Sequence, residues 1–266
     1  YRRWFEQHRA KPGDLACQRV ASAAFAYRPL VSIVVPCYKT DRVYLRELLD
    51  SVLAQSYGNW ELLLMDASPE WDAVANLAAA ANDERVCRIE LPGNGGIVLN
   101  TNAGIQQATG DYIAFLDHDD ILEPDALFQY VSALNKAAEG ERPQVLFCDE
   151  DVFQKTGEWG QPVFKTKLNA DLLYSHNCVT HFLMVEKALI DYIGTSPEDV
   201  AGAQDYDLTL RCLAAGARFE HVAHVLYHWR VHPGSTADGS ADSKPYAIEA
   251  GRLALQRHFT ALGICG

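Results

Sequence analysis

No apolar run in this sequence approaches the roughly 20 residues that cross a bilayer, and no stretch reads as a signal peptide. A basic excess is also missing: 23 Lys and Arg stand against 35 Asp and Glu, for a formal net charge of -12. That balance argues against a nucleic-acid partner, which calls for a basic patch. A small phosphorylated ligand stays open if a divalent cation neutralises it. The seven cysteines, Cys17, Cys37, Cys87, Cys148, Cys178, Cys212 and Cys265, are odd in number, widely spaced and free of any C-x-x-C. This fits a reducing compartment in which thiols serve as small core residues. No internal repeat shows. The chain opens on Tyr1 rather than Met and reads as a piece of a longer protein. We expect it in the cytoplasm, or at the inner face of the cell membrane through parts outside this chain. A nucleotide-sugar dehydrogenase needs G-x-G-x-x-G after its first strand. Pro36-Cys37-Tyr38-Lys39-Thr40 stands there instead, which also removes the Gly-rich loop of a sugar-phosphate nucleotidyltransferase.

The sequence does hold ample material for a core. Of 266 residues, 48% are hydrophobic and 22% charged, enough for one large domain or a domain with a sub-domain. Residues 1–29 form a polar and aromatic lead-in, helical or irregular, bounded by Pro29. Leu30 to Val35 reads as a buried strand. A helix follows over 41–56, with Asp41 as N-cap and Val43, Leu48, Leu49, Val52 and Leu53 as its apolar positions. Glu61 to Met65 is a second strand ending at Asp66, with an Ala-rich helix over 71–81. Val86 to Leu91 is a third, with a helix over 97–108. Tyr112 to Leu116 is a fourth, ending at Asp117. Strand–helix alternation with nearly continuous apolar strands predicts a parallel sheet covered on both faces. Ligands of such sheets sit beyond the strands' carboxyl ends, which here carry Pro36 to Tyr38, Asp66, and Asp117 to Asp120. Beyond residue 140 the pattern loosens. A strand over 145–148 runs into Asp149-Glu150-Asp151, and 154–170 is a loop or hairpin. Residues 182–192 are strand then helix, 205–215 a helix, 222–230 a strand, 233–244 a Gly/Ser-rich loop and 245–260 a final helix.

Asp117-His118-Asp119-Asp120 follows the fourth strand. Alternate side chains of an extended strand share a face, so Asp117 and Asp119 point together, an arrangement that suits Mg²⁺ or Mn²⁺. The plain alternative is a solvated acidic turn in which Asp120 caps the helix near Pro124. Asp149-Glu150-Asp151 faces the same choice between the acceptor side of a crevice and a charged turn. His221, His224, His228 and His232 are close in sequence but match no zinc spacing, so most are expected to be structural.

Several segments together resemble the inverting glycosyltransferases of family 2, of bacterial surface-polysaccharide type. They are Val34-Val35-Pro36-Cys37-Tyr38, Ser51 to Tyr57 with Trp60-Glu61, and Asn102-Ala103-Gly104-Ile105 with Ala108-Thr109-Gly110-Asp111. To these are added the D-x-D at 117–119, Gly202 to Leu208, and Tyr227 to His232. The resemblance covers roughly residues 30–236. It implies an α/β GT-A fold, a mostly parallel Rossmann-like sheet with a smaller acceptor-side subregion. It divides the chain into a lead-in (1–29), a nucleotide-sugar-binding half (30–120), an acceptor-binding and catalytic half (121–240) and a C-terminal helix (241–266).

The activity so implied is a metal-dependent transfer of a hexose or deoxyhexose, from a nucleoside-diphosphate donor (UDP or dTDP favoured) to a hydroxyl of a glycan or lipid-linked glycan. The setting implied is O-antigen or capsule synthesis. Pro36, Cys37 and Tyr38 would line the nucleobase pocket and Asp66 would bond the base. Asp117 would sit near ribose and metal, and Asp119 would be the main ligand of Mn²⁺ or Mg²⁺. Asn102 belongs to the nucleotide site. Arg230 would close over the diphosphate, and His232 would complete the metal shell, with His228 second. Asp205 would be the general base; its plain reading is an acid at a helix N-terminus. Glu150, Asp151, His181 and Gln204 are acceptor-side candidates, as are Trp159, His176 and Asn177. Departures from the family pattern are Gln204 where an acid is common, Ala67-Ser68-Pro69 after Asp66, and Thr101 in place of an Arg. The rival reading is a non-catalytic carbohydrate-binding or scaffold domain.

Overall fold

The computed structural model describes residues 1–154, 159–231 and 245–264. In chain order the elements are α1 (Arg2–His8), α2 (Pro12–Ala23), β1 (Val31–Cys37), α3 (Arg42–Leu53), β2 (Trp60–Asp66), α4 (Ala73–Ala81), β3 (Val86–Glu90), α5 (Gly96–Gln107) and β4 (Tyr112–Phe115). They continue as β5 (Ile121–Leu122), α6 (Ala126–Lys136), β6 (Val145–Gln154), β7 (Trp159–Val163), α7 (Ala170–Ser175), β8 (Met184–Glu186), α8 (Lys187–Ile193), a 3₁₀ turn (Glu198–Val200), α9 (Gln204–Ala214), β9 (Phe219–Val231) and α10 (Pro245–Ala261).

Among the described residues nine strands form one sheet, in the order β3-β2-β1-β4-β8-β6-β9-β5, with β7 paired to β6. The first four strands are parallel, as their apolar runs predict. From β8 onward the sheet is mixed: β8 runs antiparallel to both β4 and β6, and β9 runs parallel to β6. One sheet therefore runs through both halves drawn from the sequence; it is all-parallel in the first half and mixed in the second, where β6 and β9 are parallel and β8 is antiparallel to its neighbours.

Side-chain alternation splits the core between the two faces of the sheet. Ile33 and Val35 pack on one face with Leu45, Leu48, Leu49 and Val52 of α3 and with α6. Val34, Met65 and Ile113 pack on the other with α5, α8, α9 and α10. Leu45 joins the buried stripe of α3 and Val43 points outward, 60% exposed. Asp41 caps this helix as expected, accepting from the backbone N–H of Val43 at 2.8 Å.

Two glycines set how closely the parallel strands are covered. A Cβ on Gly104 would lie 2.4 Å from Val34 Cγ1, so only glycine lets α5 lie down on β1 and β2. A Cβ on Gly110 would lie 2.6 Å from the Leu30 carbonyl oxygen and 2.8 Å from the Ser32 N. Glu61 ties the same corner together: its Oε1 accepts from Ser32 Oγ at 2.5 Å and from Thr109 N and Oγ1 at 2.8 and 2.9 Å. Gln55 bridges α3 to the start of α6, accepting from Leu127 N at 3.0 Å and donating to the Glu123 carbonyl at 2.7 Å. Much of the motif set from Gln55 to Gly110 is thus scaffold for the parallel sheet.

Candidate active site

A cavity of about 630 Å³ opens at the carboxyl end of the sheet. Asp117, His118 and Asp119 enter it from the end of β4, and Pro36 from β1. Asn102 of α5, Gln204 and Asp205 at the start of α9, and Thr180 and His181 ahead of β8 complete much of its polar wall. Residues far apart in sequence converge here, and of the sequence-predicted site residues the cavity brings together Pro36, Asn102, Asp117, Asp119, His181, Gln204 and Asp205.

Three carboxylates, Asp117, Asp119 and Asp205, line this cavity. Burial pushes the Asp117 carboxyl above its ordinary range, and the nearby carboxylates of Asp119 and Asp205 push the same way against the opposing His181 and His118. Like charges gathered in a partly enclosed space call for a cation or a shared proton. Among the described residues no three His, Cys, Asp or Glu side chains are arranged as a metal cage. Two carboxylates fit another mode, in which a hard divalent ion takes one or two protein oxygens and completes its shell with water and substrate phosphate. His232 lies outside the described residues.

The Asp205 carboxylate is held from one side. Its Oδ2 accepts from Asn177 Nδ2 at 2.9 Å and from Thr180 Oγ1 at 2.7 Å. His181 is fixed by Glu150, whose carboxylate accepts from its backbone N–H and lies 3.2 Å from its Nδ1. Its ring stacks on Tyr227 with centroids 4.8 Å apart. Burial pulls the His181 imidazole down, but the Glu150 hydrogen bond and the charges of Glu150 and Asp117 outweigh it, so the net shift is upward. Gln204 accepts from Gly202 N at 3.0 Å, and Asn102 donates to the Ser196 carbonyl at 2.8 Å. Both line the cavity while bracing the loop before α9.

Other expectations need correction. Asp66 is fully buried, paired with Arg88 Nε at 2.8 Å and accepting from Ser68 N at 3.1 Å. The Cys37 thiol faces the core, where burial pushes it up to about 12, so only its backbone can face the crevice. Tyr38 is 42% exposed and lies outside the cavity wall. Arg230 is buried away from the wall. Its Nε donates to the Asp119 carbonyl at 2.5 Å, its second nitrogen pairs with Glu47 at 2.5 Å, and the guanidinium lies over Tyr44 and Phe153. It shapes the D-x-D turn from behind. Asp120 does not cap the following helix; it accepts from Arg230 N at 2.7 Å and from the Tyr227 hydroxyl.

The Asp149-Glu150-Asp151 triplet is neither a charged turn nor an open acceptor surface. It lies inside β6, and each carboxylate has a partner. Asp149 meets His221 at 2.7 Å, Glu150 meets Lys165 at 2.9 Å, and Asp151 meets His228 at 2.6 Å and the Tyr1 hydroxyl. His228 is held on its other side by Glu123 at 3.0 Å, so neither ring nitrogen is left for a metal. The described histidines of this stretch thus follow the structural expectation where they are buried. Sequence reasoning missed Thr180, His118 as a wall residue, and the pairing acids and bases Glu123 and Lys165. Nothing local marks Thr180, Glu123 or Lys165, whereas His118 sits between the two acids of the D-x-D.

Residues 32–194 match the family model described as Glycosyl transferase family 2. The chain belongs to that family. A Sinorhizobium fredii protein, named as uncharacterized protein y4gI, is 40% identical over 264 residues, covering 97% of this chain and 28% of that protein. The Myxococcus xanthus O-antigen biosynthesis protein RfbC is 33% identical over 255 residues, covering 95% of this chain and 20% of that protein. The chain thus spans less than a third of the length of either relative. Among solved structures, S. aureus TarS 1-349 in complex with UDP-GlcNAc superposes with a TM-score of 0.67 at 21% identity, over 84% of this chain and 65% of that one. The mannosyltransferase PcManGT from Pyrobaculum calidifontis, in complex with GDP-Man and Mn²⁺, gives 0.59 at 18% identity, over 94% and 82%. These likenesses are of fold, and the fold is GT-A, as the motifs imply.

Proposed function

We propose that this chain is the catalytic domain of a protein of surface-polysaccharide synthesis, moving a sugar from a nucleoside-diphosphate donor to a hydroxyl of a glycan or lipid-linked glycan. The observation that carries this is the convergence of Asp117, Asp119 and Asp205 on one cavity. The family supports sugar transfer, and the O-antigen relative supports the setting. The two solved neighbours hold a UDP-sugar and a GDP-sugar, which supports a nucleotide-sugar donor without choosing the base.

Asp117 and Asp119 would hold Mg²⁺ or Mn²⁺, with Asp119 as the main ligand. A bound divalent ion supplies Lewis-acid stabilisation of the charge that grows on the departing diphosphate. Asp205 accepts the proton of the acceptor hydroxyl. The acceptor oxygen bonds to C1 as the C1–O bond to the diphosphate breaks, so one displacement inverts the anomeric carbon without a sugar–enzyme bond. Of the residues lining the cavity, we assign Pro36 and Asn102 to the donor, and Thr180, which bonds Asp205, together with His181 and Gln204 to the acceptor. The described helices include none long and apolar enough to cross a membrane. We place the domain in the cytoplasm, or at the inner membrane face through other parts of the protein.

Titration calorimetry with UDP, dTDP and GDP, each with and without Mn²⁺, tests the donor site on the wild type and Asp119→Ala. Metal-dependent binding of one nucleotide, lost in the variant, is the expected result. A folded protein that binds none of them would overturn the reading in favour of a non-catalytic scaffold.

A further inference from the structure

The Asp205 carboxylate is not symmetric in its surroundings. Oδ2 accepts two hydrogen bonds, from Asn177 Nδ2 at 2.9 Å and Thr180 Oγ1 at 2.7 Å. Oδ1 has no hydrogen-bond partner among the described residues, and Asp205 lines the cavity. Asn177 Nδ2 also donates to Thr180 Oγ1. Since the Thr180 hydroxyl oxygen accepts from Asn177, its own proton is directed at Asp205. The amide orientation is set by the same triangle: a flipped Asn177 would turn its carbonyl oxygen onto a carboxylate. In the observed orientation Asn177 Oδ1 is buried and meets no donor among the described residues. A buried unpaired acceptor is costly, and it is retained here beside the cavity wall.

The segment that carries the two donors is itself braced. The His181 carbonyl, next to Thr180, accepts from Lys165 Nζ at 2.7 Å and from the Cys148 thiol at 3.6 Å. Glu150 holds the His181 backbone N–H and pairs with Lys165. Asn177 and Thr180 therefore stand on a platform anchored to β6, while Asp205 is carried by α9.

We infer that Asn177 and Thr180 are positioning residues that clamp Oδ2 of Asp205, so that Oδ1 is the oxygen presented to the acceptor hydroxyl. This rests on the reading of Asp205 as general base. The clamp holds the carboxylate rotation that a base must adopt to meet an incoming hydroxyl, and it removes one of the two oxygens from competition.

The test uses Thr180→Val, which keeps the shape and removes the donor, Thr180→Ser, which keeps the donor, Asn177→Leu, and Asp205→Asn as reference. The probes are UDP-GlcNAc and GDP-mannose with Mn²⁺, followed by nucleotide release with water as acceptor. Nucleotide affinity is measured in parallel by calorimetry. We expect Thr180→Val and Asn177→Leu to lower kcat by about 10-fold or more, a part of the 10²- to 10⁴-fold worth of a general base. The donor KM and nucleotide affinity should hold, and Thr180→Ser should retain most of the rate. Loss of rate in Asp205→Asn with none in Thr180→Val would overturn the clamp and leave the base in place. Equal damage in Thr180→Ser and Thr180→Val would also overturn it. An Asp205→Asn variant as active as wild type would remove the base reading itself, and the clamp with it.

Discussion

The parallel half of the sheet buries little charge: Asp66 is its one fully buried acid among the described strands β1 to β4. The mixed half buries Asp120, Glu123, Asp149, Glu150, Asp151, His228 and Arg230 around β5, β6 and β9. The first half is covered by helices on both faces, so its strands are simply apolar. Its buried polar groups, such as Ser32 with Glu61, mainly serve close approach between neighbouring elements. The second half has to support a cavity wall and receive helix α1. It does so with paired charges, which hold a defined geometry but cost desolvation unless every member is satisfied. A buried acid in this protein is therefore more often a strut than a reagent, and position at the cavity separates the two.

The largest effect that would sharpen this contrast is on the reagent side. Asp205→Asn should lower the transfer rate by about 10²- to 10⁴-fold while nucleotide binding by calorimetry stays intact. A loss of folding instead would make Asp205 another strut.

On the strut side, Asp151→Ala leaves His228 and Glu123 with an incomplete network, and α1 without its Tyr1 contact. Removing one partner of a buried pair costs about 3–5 kcal/mol, read as a lowered denaturation midpoint. The same network predicts how stability follows pH. Burial alone would push the Glu123 carboxyl up, but His228 and Arg9 outweigh it and hold it below its ordinary value. Burial alone would pull His228 down, but its hydrogen bonds to Asp151 and Glu123 raise it above its ordinary value. The Glu123 contribution is present above the unfolded carboxyl pKa and is lost as pH falls through the lowered folded value. The His228 contribution is present below the unfolded imidazole pKa and is lost as pH rises through the raised one. Stability should thus decline on both sides of mildly acidic pH, and His228→Gln should flatten the alkaline side in urea titrations across pH.

The parallel half should break through shape instead of charge. Gly110→Ala drives a methyl into the Leu30 and Ser32 backbone, and Gly104→Ala into Val34. Each should cost about 1–3 kcal/mol, the first more than the second because backbone cannot turn aside, with a pH profile unchanged in form. Smaller still, Asp41→Ala removes the cap of α3 and should cost about 1 kcal/mol, visible as a small shift in thermal midpoint.

Local pattern made the parallel half legible. Continuous apolar strands, the α3 stripe and the Asp41 cap are all short-range signals, and they placed the strand ends and so Asp117 and Asp119. Asp205 was reached through motif resemblance and His181 only as one of several acceptor-side candidates, and the cavity brings them to the same place. The triplet in β6 was not legible: three consecutive acids resemble a turn unless one knows that His221, Lys165 and His228 stand opposite. Arg230 was misplaced for the same reason, since its carbonyl and carboxylate partners, Asp119 and Glu47, lie 111 and 183 residues away.

By itself the sequence determined the strand–helix alternation, the parallel start of the sheet and the position of acids at the strand ends, because these follow from side-chain period and from residues adjacent in the chain. Three-dimensional packing settled which acids line the cavity, such as Asp117, Asp119 and Asp205, and which lie in the paired network of β6, such as Asp149 and Asp151. A carboxylate's role depends on what lies within about 3 Å of its oxygens, and for Asp151 and His228 that neighbour is 77 residues distant in the chain.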